Sequence, residues 1–194
     1  MPAPCRVVLF HHALGVTAGV LALADELRAV GLEVMVPDLF EGEVFSEVDS
    51  GVDYSLRVGF GEIISRGVAS IASLQQSVVV VGLSLGALPA QYLAQTDRRV
   101  HGAVLVGACI PLGEFSDEWP EGVPLEVHAA SGDPVFDGDG DAEAAAAIVA
   151  AAAAAQVVRH HGGGHLCCER GHRDYDELTS VAVINAVASM TATS

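Results

Sequence analysis

Short apolar runs alternate along the chain with longer segments whose apolar residues recur at helical spacing. The apolar runs predict six strands, at residues 6–10, 33–37, 78–81, 102–106, 125–130 and 157–160. The longer segments predict five helices, at residues 17–30, 62–74, 85–96, 141–155 and 175–190. Alternation of strands and helices predicts a doubly wound, mainly parallel sheet of about six strands with helices on both faces.

Two segments show neither pattern. Residues 38–61 are acidic and contain several glycines, and we expect them to be irregular. Residues 107–124 carry prolines and glycines and predict a loop that is too short and too broken for a helical cap domain. No internal repeat or linker interrupts the pattern, so we expect one domain over residues 1–194.

Composition narrows the class of protein. The 194 residues carry a formal net charge of −16, all the basic side chains are arginines, and 51% of the residues are hydrophobic. So acidic a surface argues against nucleic-acid or membrane partners, and the longest apolar run, 78–90, is too short to span a bilayer. The N-terminal sequence MPAPC lacks the pattern of a signal peptide, and the four cysteines form no CxxC pair. We therefore expect a cytoplasmic protein.

A nucleophile motif follows the all-valine strand. The sequence Gly82-Leu83-Ser84-Leu85-Gly86 lies between this strand and a predicted helix. That context is typical of a nucleophile elbow, a tight strand-to-helix turn that exposes a serine hydroxyl above the sheet. Ser84 is the predicted nucleophile.

A serine hydroxyl needs a base, and the base needs an acid that orients it. Asp133 follows the strand at 125–130, and His165 follows the strand that ends at residue 160. The carboxyl ends of parallel strands meet at one edge of a sheet, so we expect Ser84, Asp133 and His165 to converge there.

Two backbone amides should stabilise the oxyanion that attack on a carbonyl creates. Leu85 follows the nucleophile at a helix start, and Ala13 lies in the loop after the first strand, so we assign the oxyanion hole to them. Trp119 is a candidate for one wall of the site, with packing against the domain as its other interpretation.

The sequence resembles the dienelactone hydrolase family of α/β hydrolases over residues 7–190. The resemblance rests on five segments, VVLFHHALGV, MVPDLFEG, GLSLGALPAQYLA, HAASGDPV and GGGHLCCERGHRDYDE. It implies the α/β-hydrolase fold and places Ser84, Asp133 and His165 at the positions of nucleophile, acid and base. It also implies three departures: Ser84 replaces the cysteine nucleophile of the founding enzymes, His12 replaces a glutamate of the first loop, and the substrate-binding arginines have only Arg170 and Arg57 as loose counterparts.

The residues and the resemblance together predict a hydrolase of small carboxylic esters or lactones that needs no cofactor and no metal. Two alternatives use the same residues. One is a catalytically silent protein that binds a ligand in the same cleft, and the other is a metal-binding protein that uses His160, His161 and His165. Adjacent residues of a strand point to opposite faces, which weakens the metal interpretation. His12, Trp119 and Arg170 are the candidate substrate contacts.

Overall fold

The computed structural model describes residues 5–192 and contains one six-stranded sheet with all strands parallel. The strands are β1 (Arg6–Phe10), β2 (Glu33–Met35), β3 (Val78–Leu83), β4 (Val100–Val106), β5 (Leu125–Ala130) and β6 (Ala155–His160). Their order in the sheet is β2-β1-β3-β4-β5-β6, so the chain winds outward in both directions from β1 and β3. This is the predicted doubly wound topology.

Within residues 5–192, seven α-helices accompany the sheet. They are α1 (Ala18–Ala29), α2 (Val48–Val58), α3 (Phe60–Ser70), α4 (Ala87–Thr96), α5 (Pro134–Gly138), α6 (Asp141–Ala151) and α7 (Glu177–Ala192), and a 3-10 turn (Ser84–Gly86) links β3 to α4. All five predicted helices are present, with ends shifted by a few residues. The alanine-rich helix stops at Ala151 because Ala155 already pairs with Leu125 in the sheet.

The sheet is buried on both faces by two separate hydrophobic clusters. Along β1, Val8 and Phe10 belong to the cluster that packs against α3, α4 and α6. Val7 and Leu9 belong to the cluster that packs against α1 and α7. This alternation places helices on both sides of a parallel sheet, as the apolar strands predicted.

The prediction that residues 38–61 are irregular was wrong, because α2 lies within them. The residues that α2 buries are the small Gly51 and Ser55, while Val52 and Leu56 are exposed. A β-carbon at Gly51 would lie 1.8 Å from the carbonyl oxygen of Ala13. The helix therefore packs its backbone against the loop after β1, while Tyr54 and Val58, both partly buried, pack against the hydrophobic core.

The segment at 107–124, between β4 and β5, contains no helix or strand. It is fastened to α4 by side-chain amides: Gln91 Nε2 donates to the carbonyl of Ile110, and Gln95 Nε2 donates to the carbonyl of Ser116. The predicted loop without a helical cap is what the structure has.

Between Cys5 and Ala192, every helix is too short or too polar to cross a bilayer. The expectation about the N-terminal sequence MPAPC depends on residues 1–4, which lie outside the described residues.

Candidate active site

The turn that carries Ser84 has a strained backbone. Ser84 has φ of +48°, in the left-handed region that residues with a β-carbon seldom adopt. The glycines on either side permit this turn: a β-carbon at Gly82 would lie 2.6 Å from the α-carbon of Ala87, and one at Gly86 would lie 2.4 Å from the carbonyl oxygen of Phe10. Strain of this kind persists where the surrounding structure enforces it, and it often marks a functional residue.

Ser84, His165 and Asp133 form one hydrogen-bonded chain. The Oγ of Ser84 lies 2.7 Å from Nε2 of His165, and Nδ1 of His165 lies 2.9 Å from Oδ2 of Asp133. An ionised carboxylate only accepts, so Nδ1 carries the imidazole proton and Nε2 is free to accept the proton of Ser84. The structure thus brings together the three side chains that the sequence selected, in the geometry of a serine nucleophile, a general base and an orienting acid.

Asp133 is held from two sides. It is the N-cap of α5, where its Oδ1 accepts from the amide of Val135 at 3.0 Å, while Oδ2 faces His165. Burial acts to raise the pKa of Asp133, but the hydrogen bonds from His165, Val135 and Phe136 outweigh burial and lower the pKa. The acid is therefore ionised at neutral pH and fixed in orientation.

The peptide between His12 and Ala13 is anchored by its carbonyl. The oxygen of His12 accepts from Nδ1 of His11 at 2.8 Å and from the amide of Gly15 at 3.1 Å. All peptide bonds of the described residues are trans, so the amide of Ala13 points away from this anchored oxygen. Leu85, the other predicted donor, lies within the 3-10 turn directly after Ser84.

His11 is a neutral structural histidine that sequence analysis did not select. Its side chain is fully buried, and burial lowers its pKa to about 4. Nδ1 donates to His12, while Nε2 accepts from the amide of Leu39 at 2.9 Å. His11 therefore fixes the loop that carries Ala13 to the loop after β2.

His12 lies beside the recess next to Ser84, and both of its ring nitrogens have partners within the protein. Its Nε2 lies 2.9 Å from Oε2 of Glu169, and its Nδ1 accepts from the amide of Leu14 at 3.3 Å. Both ring nitrogens are therefore occupied, which leaves His12 neither a base nor a hydrogen-bond donor for a substrate. Glu169 was not among the predicted site residues, because its contact with His12 spans 157 residues and follows no local pattern.

Two cavities meet at His165. A cavity of about 10 Å³ is lined by Ser84, His165, Glu169 and the predicted substrate contact His12, together with apolar side chains and Cys168. A larger cavity of about 650 Å³ is lined by His165, by residues 46–49 before and at the start of α2, and by residues 172–174. The site therefore has a narrow recess beside the nucleophile and a wide mouth toward solvent.

Trp119 and Arg170, two of the candidate substrate contacts, lie elsewhere. Trp119 is buried in the core, and its Nε1 donates to the carbonyl of Val123 at 2.7 Å. Arg170 is exposed and pairs with Glu26 and the hydroxyl of Tyr175. Among the described residues that line the two cavities, neither side chain is present.

The histidines of the metal alternative make separate contacts. Nε2 of His160 lies 3.0 Å from Nδ1 of His128, while Nδ1 of His165 faces Asp133. Within residues 5–192, no three His, Cys, Asp or Glu side chains are grouped so that they could hold a metal ion.

The sequence profile of the dienelactone hydrolase family matches residues 2–193. A search of curated proteins gave no match. Among solved structures, m3DLH aligns with a TM-score of 0.77 and 15% identity over 100% of this chain and 88% of its own. A dienelactone hydrolase-like promiscuous phosphotriesterase from metagenomic libraries aligns with a TM-score of 0.74 and 16% identity over 99% and 87%.

A cold-adapted esterase from an Arctic intertidal metagenomic library also aligns, with a TM-score of 0.68 and 13% identity over 96% of this chain and 84% of its own. Identities this low establish a shared fold and nothing finer, whereas the family profile covers nearly the whole sequence. Fold, sequence profile and structural neighbours agree: the chain belongs to the dienelactone hydrolase family, within the α/β-hydrolase superfamily.

Proposed function

We propose that this hydrolase cleaves small carboxylic esters or lactones through an acyl-enzyme on Ser84. The observation that carries the proposal is the continuous hydrogen-bonded chain from Ser84 Oγ through His165 to Asp133, with distances of 2.7 and 2.9 Å. A ligand-binding protein would need none of this alignment, because Ser84 and His165 are placed for proton transfer and Asp133 is placed to orient the imidazole.

In the acylation step, Ser84 Oγ attacks the carbonyl carbon and its proton passes to Nε2 of His165. Asp133 stabilises the imidazolium that forms, since its buried carboxylate accepts from Nδ1. The amides of Ala13 and Leu85 receive the developing oxyanion, and anchoring of the His12 carbonyl prepares the first of these donors before substrate arrives.

Acylation is complete when His165 gives this proton to the departing alkoxide and the bond between the acyl carbon and that oxygen breaks. In the second half of the reaction, water attacks the acyl carbon and His165 accepts its proton. His165 then returns this proton to Oγ of Ser84 as the bond between Oγ and the acyl carbon breaks, and the acid product leaves. Ser84 and His165 thus supply the nucleophile and the base, and the backbone amides of Ala13 and Leu85 supply the oxyanion donors that acyl transfer requires.

The recess beside Ser84 supports a short acyl group. Its volume of about 10 Å³ is barely enough to hold one water molecule, whereas the mouth beyond His165 has about 650 Å³. A substrate with a long acyl chain would find no enclosed groove here.

Labelling with a fluorophosphonate probe tests the proposal, with Ser84→Ala as the matched variant. We expect the wild-type protein to be labelled at Ser84 and to hydrolyse p-nitrophenyl acetate. Ser84→Ala should lose both properties, with a rate loss of at least about a thousandfold. Residual hydrolysis within tenfold of wild type, in a variant with an unchanged circular dichroism spectrum, would reject Ser84 as the nucleophile.

A further inference from the structure

A buried carboxylate faces the same recess as the nucleophile. Glu169 is only 8% exposed, and its side chain lines the cavity of about 10 Å³ together with Ser84 and His165. The catalytic steps proposed above make no use of this group. An acyl group attached to Ser84 would therefore lie within a few ångströms of a carboxylate that takes no part in the chemistry.

The position of Glu169 is fixed by three hydrogen-bond donors. Its Oε2 accepts from Nε2 of His12 at 2.9 Å and from the hydroxyl of Thr17 at 2.8 Å, and the amide of Gly19 also donates to the carboxylate. Position 19 must be glycine for this approach, because a β-carbon there would lie 2.3 Å from the Cδ of Glu169. Burial acts to raise the pKa of Glu169, yet these hydrogen bonds lower it, so the group is ionised at neutral pH.

The charge of Glu169 is not cancelled by its partner. Nδ1 of His12 accepts from the amide of Leu14, so it is unprotonated, and the single ring proton is the one that Nε2 donates to Glu169. The pair is thus a neutral imidazole with a carboxylate, and it carries one net negative charge.

The wider cavity that forms the mouth of the site also carries negative charge. Glu47, Asp49 and Asp174 line the wider cavity, whereas Arg173 is the one arginine among the residues that line it. The guanidinium of Arg173 is 90% exposed and lies 3.7 Å from Asp174. A substrate that approaches His165 therefore passes through a negative potential before it reaches the negative charge beside Ser84.

We propose that Glu169 is a specificity-determining residue, and that it restricts the site to acyl groups without negative charge. The inference rests on the proposed function and names its substrate class: esters or lactones whose acyl part is neutral or cationic. An acyl chain that extends from Ser84 would carry a terminal carboxylate close to Glu169, beside a recess with room for little water, where repulsion between like charges is stronger than in bulk solvent.

The test compares two esters of matched chain length, p-nitrophenyl butyrate and mono-p-nitrophenyl succinate, on the wild-type protein and on Glu169→Gln. The quantity measured is the ratio of kcat/KM for the neutral ester to that for the anionic ester. We expect Glu169→Gln to lower this ratio by about 10- to 30-fold. Comparison of the two proteins cancels the intrinsic reactivity of the esters, and a purely structural role for Glu169 would slow both substrates equally.

Glu121→Gln is the control, since it removes one negative charge from an exposed loop. Glu121 lies next to residues at the amino ends of β4 and β5, whereas Ser84 follows the carboxyl end of β3. The ratio should stay within twofold of wild type in this variant. A folded Glu169→Gln with an equally small change would overturn the inference.

A second measurement uses the wild-type protein alone and so does not depend on the folding of the variant. Propylboronic acid and 2-carboxyethylboronic acid both add to a serine nucleophile and differ only in the terminal group. We expect the neutral compound to inhibit at least about tenfold more tightly, and equal inhibition would overturn the inference. If p-nitrophenyl butyrate is not cleaved and fluorophosphonate does not label Ser84, the proposed function itself is rejected, and the inference with it.

Discussion

Gly86 lies against the end of the first strand, so that a β-carbon at residue 86 would stand 2.4 Å from the carbonyl oxygen of Phe10 and 2.8 Å from that of His11. The obstructing atoms are backbone, and they cannot swing aside as a flexible side chain would. The turn that presents the nucleophile and the loop that presents the Ala13 amide are therefore in direct main-chain contact.

Gly86→Ala should accordingly damage stability and catalysis together. We expect a loss of about 1–3 kcal/mol in the free energy of unfolding, because the added methyl group must push two backbone segments apart. We also expect kcat to fall by about a hundredfold, as the oxyanion donors move relative to Ser84. Urea denaturation and steady-state kinetics on p-nitrophenyl acetate measure the two effects.

Gly61→Ala is the matched control. Gly61 lies in the first turn of α3, with nothing within 4 Å of the position that a β-carbon would take. Alanine is the better helix former, so this variant should be as stable as wild type or more stable by up to about 1 kcal/mol, with unchanged kinetics. Equal behaviour of the two variants would contradict the close contact at Gly86.

Iodoacetamide should leave activity largely intact. The proposed nucleophile is the hydroxyl of Ser84, and the thiols near the site are poor targets for alkylation. Burial raises the pKa of Cys109 to about 12, and a hydrogen bond from Cys167 together with burial raises that of Cys168 well above its usual value. Activity assays after alkylation, with mass spectrometry of the modified residues, measure the outcome. Inactivation in proportion to alkylation of Cys168, which lines the recess, would require a revised role for that thiol.

Short acyl chains should react faster than long ones. A groove that buries the acyl chain would add about 0.8 kcal/mol of binding free energy for each methylene. The recess of about 10 Å³ has no room for such a chain. We expect kcat/KM to be higher for p-nitrophenyl acetate and butyrate than for the decanoate. A steady rise out to long chains would contradict this interpretation of the cavity.

Val106→Ala should shift this preference toward longer chains. Val106 lines the recess, whereas Val104 is a fully buried valine two residues earlier on the same strand and does not line it. Val104→Ala is therefore the control: it should lower stability similarly and leave the preference for chain length unchanged. A shift of the same size in both variants would argue that general loosening, and not the recess, sets the preference.

Acid should destabilise the fold through two buried histidines. Burial lowers the pKa values of His11 and His128 to about 4, below the value of 6.5 that an exposed histidine has. Between pH 6.5 and 4 these two histidines are protonated in the unfolded chain but stay neutral in the folded chain. The stability present at neutral pH is therefore lost as pH falls through this window. Each histidine accounts for about 3 kcal/mol.

Urea denaturation between pH 7 and pH 4 measures this loss, and His128→Asn should make the dependence on pH shallower. Asp133 and Glu169 have lowered pKa values, so their contributions to the free energy of unfolding are lost only at lower pH. The effect of the histidines can therefore be measured separately. An unchanged slope in His128→Asn would show that His128 is not buried as a neutral group.

The fold was largely predictable because both faces of the sheet are buried, so most strands consist of uninterrupted apolar residues in the sequence. The helix α2 was missed because its fully buried residues, Gly51 and Ser55, are small. Of its larger side chains, Val52 and Leu56 are exposed, and Tyr54 and Val58 are only partly buried. The short helix α5 was missed because its five residues offer less than two turns of periodicity.

The residues of the candidate site were likewise predictable only in part. Ser84, Asp133 and His165 each follow a strand, and strand ends converge by topology, so their positions could be inferred from sequence alone. Glu169 could not, because its contacts with His12 and Thr17 span 157 and 152 residues and obey no local pattern. For the same reason, the packing of Trp119 into the core lay beyond what its sequence neighbours could reveal.

The two oxygens of Asp133 have different hydrogen-bond partners: one caps helix α5, and the other accepts from the imidazole of His165. An asparagine at this position would keep an oxygen for the amide of Val135 but would turn its NH₂ group toward Nδ1 of His165. The imidazole would then have to move its proton to Nε2, where it would point at the serine instead of accepting from it. Asp133→Asn should therefore keep the fold intact but hold His165 in the tautomer whose Nε2 cannot accept the proton of Ser84.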